Sequence, residues 1–150
     1  MQIMALKEKL LEDMKTAMKN KNIVEKNTIQ MVRASVLQIE KDKHIVLDDE
    51  GVIEVIAKEL KKRKDSLPEY EKSNRVDLVE TLKAEINVLL KYMPEQLSEQ
   101  ELYEVVKKGI EECGATSLRD IGKVMQFVLP KVKGRAEGKI INEIAKKILS

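Results

Sequence analysis

Apolar residues recur every three or four positions along most of the chain, which is the spacing of amphipathic α-helices. No segment alternates apolar and polar residues for long enough to indicate a β-strand. The pattern therefore predicts seven helices, and Pro68 is expected to kink or end the third of them. The predicted limits are residues 2–21, residues 26–43, a third helix capped by Asp48 or Asp49, a fourth from Asn74 to Pro94, a fifth from Ser98 to Gly114, a sixth from Ser117 or Asp120 to Pro130, and a seventh that carries Ile140 to Leu149.

The segment around Pro94 is the best candidate for a boundary between two units. Pro94 ends one helix, and Ser98 with Glu101 forms an S-x-x-E capping box that begins the next. We therefore predict an all-α protein, with a four-helix N-terminal unit over residues 1–93 and a small three-helix C-terminal domain over residues 95–150.

Composition narrows the class of protein. Of the 150 residues, 43% are apolar and 36% are charged, which excludes a disordered polymer. No run of about 18 apolar residues indicates a membrane span. Charged residues occur too early at the N-terminus for the apolar core of a secretory signal. We therefore expect a cytoplasmic protein without a membrane partner.

The sequence contains no recognisable catalytic constellation and predicts no cofactor. His44 is the only histidine, and the charged stretch around it is typical of the exposed end of a helix. Cys113 is the only cysteine, so there is no intrachain disulfide and no thiolate zinc site. It precedes Gly114, and the C-terminal end of a helix raises the pKa of a thiol rather than lowering it. We expect Cys113 to be a partly buried apolar residue and predict no metal.

Two local clusters of positive charge stand out from a nearly neutral chain with a net charge of only +2. The first carries a net charge of +3 over residues 58–65. On a helix these side chains wrap around the axis rather than line one stripe. The cluster is either a secondary binding patch or a solubilising surface. Its basic members are Lys58, Lys61, Lys62, Arg63 and Lys64.

The second cluster carries six positive and two negative charges over residues 119–139. Its centre is a loop that follows Pro130 and leads into the last predicted helix, and Gly134 in that loop can adopt unusual backbone angles. Unpaired N–H groups at a helix N-terminus favour an anion, so a basic loop beside one is a phosphate-contact geometry. A solvated basic loop remains the alternative.

Several segments of the chain resemble the YqeY-like (GatB/YqeY) family. The C-terminal stretch DIGKVMQFVLPKVKGRAEGKIINEIAKKIL is similar to the family's C-terminal signature, and MPEQLSEQEL is similar to its domain-joining motif. KELKKRKDSLPEY and NRVDLV resemble its central helices. The resemblance covers essentially the whole chain.

The resemblance implies an all-helical protein whose C-terminal domain is similar to the tail of the B subunit of the tRNA-dependent aspartyl/glutamyl amidotransferase. In that enzyme the tail engages tRNA, while the amide chemistry occurs elsewhere. The family also carries the label of a carbon–nitrogen ligase that uses glutamine as amido donor. Two positions depart from the family pattern: Gln126 stands where glycine is frequent, and Glu137 replaces the usual aspartate at the start of the last helix, where Glu caps less well.

Three functions therefore remain open. The first is an accessory module that binds tRNA. The second is a component of an amidotransferase-like complex, with a protein partner. The third is a helical adaptor that docks a partner through the Met-rich first helix, although Met4, Met14 and Met18 would equally fill a core. The residues expected to bind RNA are Lys123, Lys131, Lys133, Gly134, Arg135 and Lys139.

Overall fold

The computed structural model describes residues 5–150, and every regular element within them is helical, which confirms the all-α prediction. The first helix ends at Lys19, slightly earlier than predicted, and predicted residues 2–4 lie outside the described range. The second begins at Ile23 because the side chain of Asn22 accepts a hydrogen bond from the Glu25 N–H. The α-helices are α1 (Leu6–Lys19), α2 (Ile23–Lys43), α3 (Asp49–Lys72), α4 (Val76–Leu90), α5 (Glu99–Cys113), α6 (Ile121–Val128) and α7 (Gly138–Leu149).

The helices form two compact units, Met1–Met93 and Pro94–Ser150, which we call unit 1 and unit 2. Unit 1 contains α1 to α4 around an aliphatic core in which Leu10, Ile29, Ile56 and Leu89 are almost completely buried. Unit 2 contains α5 to α7 and has its own core. The most buried residues of that second core are Val106, Val124, Val128, Ile141 and Ala145.

Two adjacent aspartates at the start of α3 have different roles. Asp48 is the N-cap of α3, and its Oδ1 accepts a hydrogen bond from the Gly51 N–H at 2.9 Å. Asp49 instead accepts a hydrogen bond from the Leu6 N–H at 3.0 Å, at the first turn of α1. Leu47 packs against the core of unit 1. The two aspartates thus fix the N-terminal ends of two helices.

Of the two alternatives predicted for Pro68, an end to the third helix is wrong, because α3 continues through Pro68 to Lys72. A proline inside a helix removes one backbone hydrogen bond and disfavours the helix locally. In unit 1, α3 packs extensively along α4, and Pro68 itself is exposed. Tertiary packing therefore outweighs the local preference. The fourth helix is also shorter than predicted and ends at Leu90.

Local sequence signals determine both ends of α5 but not those of α6. Ser98 and Glu101 form the predicted capping box, and Gly114 ends α5 with a φ of 73°. The sixth helix begins only after a 3-10 turn over Leu118–Asp120, and Ser117 makes no capping bond. It ends at Val128, and Pro130 occupies the start of a second 3-10 turn over Leu129–Val132.

Candidate nucleic-acid interface

Charge is unevenly distributed along unit 2. Residues 94–112 contain six glutamates and two lysines, whereas residues 113–150 contain eight lysines and arginines and three acidic residues. The first stretch includes α5, and the second includes α6, α7 and the loop between them. The first stretch of unit 2 therefore has an excess of four negative charges and the second an excess of five positive charges.

The predicted basic loop has a fixed backbone because the segment before α5 is hydrogen-bonded to it. The Leu97 N–H donates to the Arg135 carbonyl at 3.0 Å, and Gln96 Nε2 donates to the Gly134 carbonyl at 2.8 Å. Arg135 Nε donates in return to the Glu95 carbonyl at 3.0 Å. Gly134 has a φ of 77°, which strongly favours glycine. Arg135 is therefore a structural residue of the loop as well as a cation.

Lys131 is exposed but has two partners. Its Nζ lies 3.2 Å from Glu112 Oε2 on α5 and 3.8 Å from the centre of the Phe127 ring. The other carboxylate oxygen of Glu112 lies 3.8 Å from Lys108 Nζ. Lys108, Glu112, Lys131 and Arg135 line one pocket of about 210 Å³. We call this the Glu112 pocket.

Lys133 and Gly134 line a different hollow together with Leu129, Pro130 and Ala136. This hollow lies beside the start of α7, because a Cβ added at Gly138 would be 3.6 Å from Leu129 Cδ2. Lys133 is exposed and takes part in interactions within the protein.

The N-terminus of α7 has two backbone N–H groups available for a ligand. Glu137 is the N-cap residue, and its side chain makes no capping hydrogen bond. The N–H groups of Ile140 and Ile141 donate to the Glu137 carbonyl, whereas those of Gly138 and Lys139 donate to no backbone carbonyl among residues 5–150. Such groups favour an anion. The Lys139 side chain is exposed at the same turn.

Lys123 lies apart from the rest of the predicted set. It is exposed on α6, and no hydrogen bond, ion pair or pocket within the described part of the chain joins it to the loop. Its charge helps to lower the pKa of Asp120, which is held down mainly by the hydrogen bond from the Thr116 N–H at 2.9 Å. The structure therefore brings Lys131 together with Arg135 and Lys133 together with Gly134, but it does not join Lys123 to either pair.

Arg63 does not belong to an exposed basic cluster, which corrects the grouping made from the sequence. Only 7% of the residue is exposed. Its Nη1 lies 2.8 Å from Glu59 Oε2, and its Nε lies 2.8 Å from Glu85 Oε2. Burial opposes the charged forms, but these hydrogen bonds prevail: the pKa of Glu59 is lowered and that of Arg63 is raised.

The remaining members of that cluster are dispersed. Lys58 and Lys62 line a groove of about 250 Å³ between α2 and α3. Lys61 is exposed outside this groove, and Lys64 is only half-exposed. The basic stretch of α3 is therefore not one continuous surface.

The candidate reactive residues occupy ordinary structural positions. His44 is exposed at the C-cap of α2 with a φ of 54°. Cys113 is half-buried, and its Sγ lies 3.7 Å from the Ile110 carbonyl. Among residues 5–150, no group of His, Cys, Asp or Glu side chains is arranged to hold a metal ion. None of the described helices is both long and apolar enough to cross a membrane.

The methionines of the first helix differ in their environments. Met14 packs against the core of unit 1, and its sulfur is 3.7 Å from Arg33 Nη1. Met18 is 53% exposed. Met4 lies outside the described residues. The first helix therefore places Met14 against the core and Met18 at the surface.

The sequence interpretation missed Lys108 and Glu112, which line the Glu112 pocket. The i,i+4 spacing of Lys108 and Glu112 makes the two side chains neighbours on α5. The contact of Glu112 with Lys131 joins α5 to the loop and has no local signal.

Comparison with known proteins identifies fungal relatives. The chain is 34% identical over 130 residues to "Altered inheritance of mitochondria protein 41, mitochondrial" of Pyrenophora tritici-repentis, covering 85% of this chain and 71% of that protein. A protein of the same name in Kluyveromyces lactis is 39% identical over 84 residues, 55% of this chain and 45% of that protein. An uncharacterised protein of Schizosaccharomyces pombe is 29% identical over 93 residues, 62% of this chain and 72% of that protein.

These names contradict the expectation of a cytoplasmic protein, because three relatives, including one from Meyerozyma guilliermondii, are named as mitochondrial. The expectation was a default drawn from composition, which carries no information about the compartment. The family comparison agrees with the sequence resemblance: the model of the YqeY-like proteins matches residues 7–149, and the chain belongs to this family.

Proposed function

We propose that the chain is an RNA-binding accessory protein that holds the sugar–phosphate backbone of tRNA against the basic elements of unit 2. The observation that carries this proposal is the separation of charge in that unit, with an excess of five positive charges over residues 113–150. A phosphate backbone is attracted by such a local excess even when the whole chain is nearly neutral. The resemblance to the amidotransferase tail selects tRNA as the RNA.

The loop and the start of α7 supply the contacts in this proposal. Lys133 and Lys139 act as point charges toward phosphate oxygens, and the N–H groups of Gly138 and Lys139 donate to a phosphate at the helix N-terminus. Arg135 keeps the loop in shape through its bond to the Glu95 carbonyl. A preformed loop lowers the entropy lost on binding.

Recognition in this proposal depends on shape and charge rather than on stacked bases. Unit 2 has two aromatic residues, Tyr103 on α5 and Phe127 on α6. Phe127 packs against the core and beneath the Lys131 ammonium. Neither residue lies in the loop, so the basic surface offers no stacking platform of the kind that reads single-stranded bases.

The test is a titration of a fluorescein-labelled tRNA transcript with the full chain. We expect Lys133→Ala combined with Lys139→Ala to weaken binding about fivefold to tenfold at moderate salt, since two phosphate contacts are lost. The matched control is Lys72→Ala combined with Lys83→Ala, two exposed residues of unit 1, which removes the same charge and should change the affinity less than twofold. Equal losses in the two variants, or no binding by the wild-type chain, would contradict the proposal.

A further inference from the structure

Glu112 lies between two cations in the Glu112 pocket, in the position that an anionic ligand would take. Its two carboxylate oxygens face Lys131 at 3.2 Å and Lys108 at 3.8 Å. Arg135 lines the same pocket, and Glu112 is the only acidic residue among those that line it. The Glu112 pocket thus has an excess of two positive charges with the carboxylate inside.

The volume of the pocket suits a small anion. Its 210 Å³ corresponds to several water molecules at about 30 Å³ each, which is enough space for a phosphate group. Apolar side chains, including Val105 and Val132, line the rest of the pocket. Anion contacts beside an apolar wall are less screened than contacts on an open surface.

We propose that the Glu112 pocket is a phosphate subsite and that the Glu112 carboxylate is an internal anion that a phosphate of bound RNA displaces. This inference rests on the proposed function and adds a site and a control element to it. Lys108 and Glu112, both on α5, join the residues of the loop in this subsite.

The geometry permits the exchange at small cost. Glu112 and Lys131 are 40% and 51% exposed in their side chains, and ion pairs with that exposure are weak. The Lys131 ammonium is also held over the Phe127 ring at 3.8 Å, a contact that does not involve Glu112. Lys131 therefore keeps its position when the carboxylate leaves, and an RNA phosphodiester offers these cations the same single negative charge and charge-assisted hydrogen bonds.

Removing the internal anion tests the inference. Glu112→Gln keeps the shape of the side chain and removes its charge. Glu111→Gln is the matched control, because Glu111 is exposed on the same helix, makes no ion pair among the described residues and does not line the Glu112 pocket. Both variants raise the net charge by the same amount. A difference between their affinities for tRNA is therefore an effect of the Glu112 pocket and not of the overall charge of the protein.

We expect Glu112→Gln to bind the labelled tRNA transcript about twofold to fivefold more tightly than Glu111→Gln, the range that an exposed ion pair accounts for. The slope of the logarithm of the binding constant against the logarithm of the salt concentration should also become steeper, by about the amount that one further phosphate contact contributes. Equal affinities of the two variants, or weaker binding by Glu112→Gln, would overturn the inference while leaving the loss caused by the Lys133→Ala and Lys139→Ala variant intact.

A second measurement separates this inference from the proposed function. Inorganic phosphate is titrated into wild type and Glu112→Gln while the lysine side-chain signals are followed by NMR. We expect the Lys131 signal to shift at lower phosphate concentration in Glu112→Gln. Identical titrations of the two proteins would overturn the subsite even if tRNA binds. Absence of tRNA binding with a Lys131 response would contradict the proposed function and the displacement by RNA, and would leave only a site for free phosphate.

Discussion

Arg63 is a buried charged residue of unit 1. Its guanidinium joins Glu59 on the same helix to Glu85 on α4, and only 8% of its side chain is exposed. A buried charge is tolerated because both carboxylates and the Glu59 carbonyl accept its hydrogen bonds. The three side chains therefore connect α3 to α4 through buried ion pairs.

Replacing Arg63 should cost far more than replacing a neighbouring lysine. Arg63→Met leaves Glu59 and Glu85 without their shared cation, and we expect a loss of about 3 kcal/mol in the free energy of unfolding. Lys61→Met on the exposed side of α3 should change it by about 0.5 kcal/mol or less. Urea denaturation followed by circular dichroism measures both, and similar losses would show that Arg63 is not a structural cation.

Sequence reasoning could not separate Arg63 from the lysines around it. All five basic residues of the cluster look alike in a charged run, and a helical wheel only shows that they point in different directions. The residue that pairs with Arg63 and distinguishes it from the lysines, Glu85, is 22 residues away on another helix. The structural role of Arg135 could not be predicted for the same reason, because its hydrogen-bond acceptor, the Glu95 carbonyl, is 40 residues away in the sequence.

At the scale of elements, α5 and α6 approach closely at Gly109. A Cβ placed on Gly109 would lie 2.5 Å from Val128 Cγ2, whereas one placed on Gly122 would have nothing within 4 Å. Both glycines are in helices, so the two positions differ mainly in the space around them. Gly109 is therefore a packing residue of unit 2.

This contrast gives a paired prediction. Gly109→Ala should destabilise unit 2 by about 1–3 kcal/mol through overpacking. Gly122→Ala should be neutral or stabilising by up to about 1 kcal/mol, because alanine is the better helix former. Thermal unfolding of the two variants beside the wild type distinguishes them. A neutral Gly109→Ala would mean that α5 and α6 separate easily.

Helix ends were predictable where their signals are local and less so where packing competes. The capping box at Ser98 and the left-handed Gly114 depend on residues within one turn, and both were predicted correctly. Pro68 is a local signal that the packing of α3 on α4 overrides. The 3-10 turns on either side of α6 have no clear sequence pattern and were missed.

At the scale of the whole molecule, the stability should fall in acid. The pKa of Glu40 is lowered by its hydrogen bond from Lys7 and by that from the Leu47 N–H, and the pKa values of Glu59 and Asp120 are lowered as well. A carboxylate with a lowered pKa contributes stability above its unfolded pKa and loses it as the pH falls through its folded pKa.

We therefore expect the urea midpoint to be lower at pH 3.5 than at pH 7. Glu40→Gln should lower the midpoint at pH 7 and reduce the difference between the two pH values, because one of the groups that titrates is gone. Glu8→Gln, an exposed residue of α1, is the control and should leave the difference unchanged. An unchanged difference in Glu40→Gln would show that its ion pair with Lys7 does not contribute to folding.

The central claim concerns the basic elements of unit 2, and the salt dependence of tRNA binding tests it most directly. The logarithm of the binding constant is measured against the logarithm of the salt concentration for the full chain. About four phosphate contacts predict a slope of about −3 to −4, reduced by nearly two in the Lys133→Ala and Lys139→Ala variant. A slope near zero, or the same slope in the variant, would contradict the claim that these residues hold the RNA backbone.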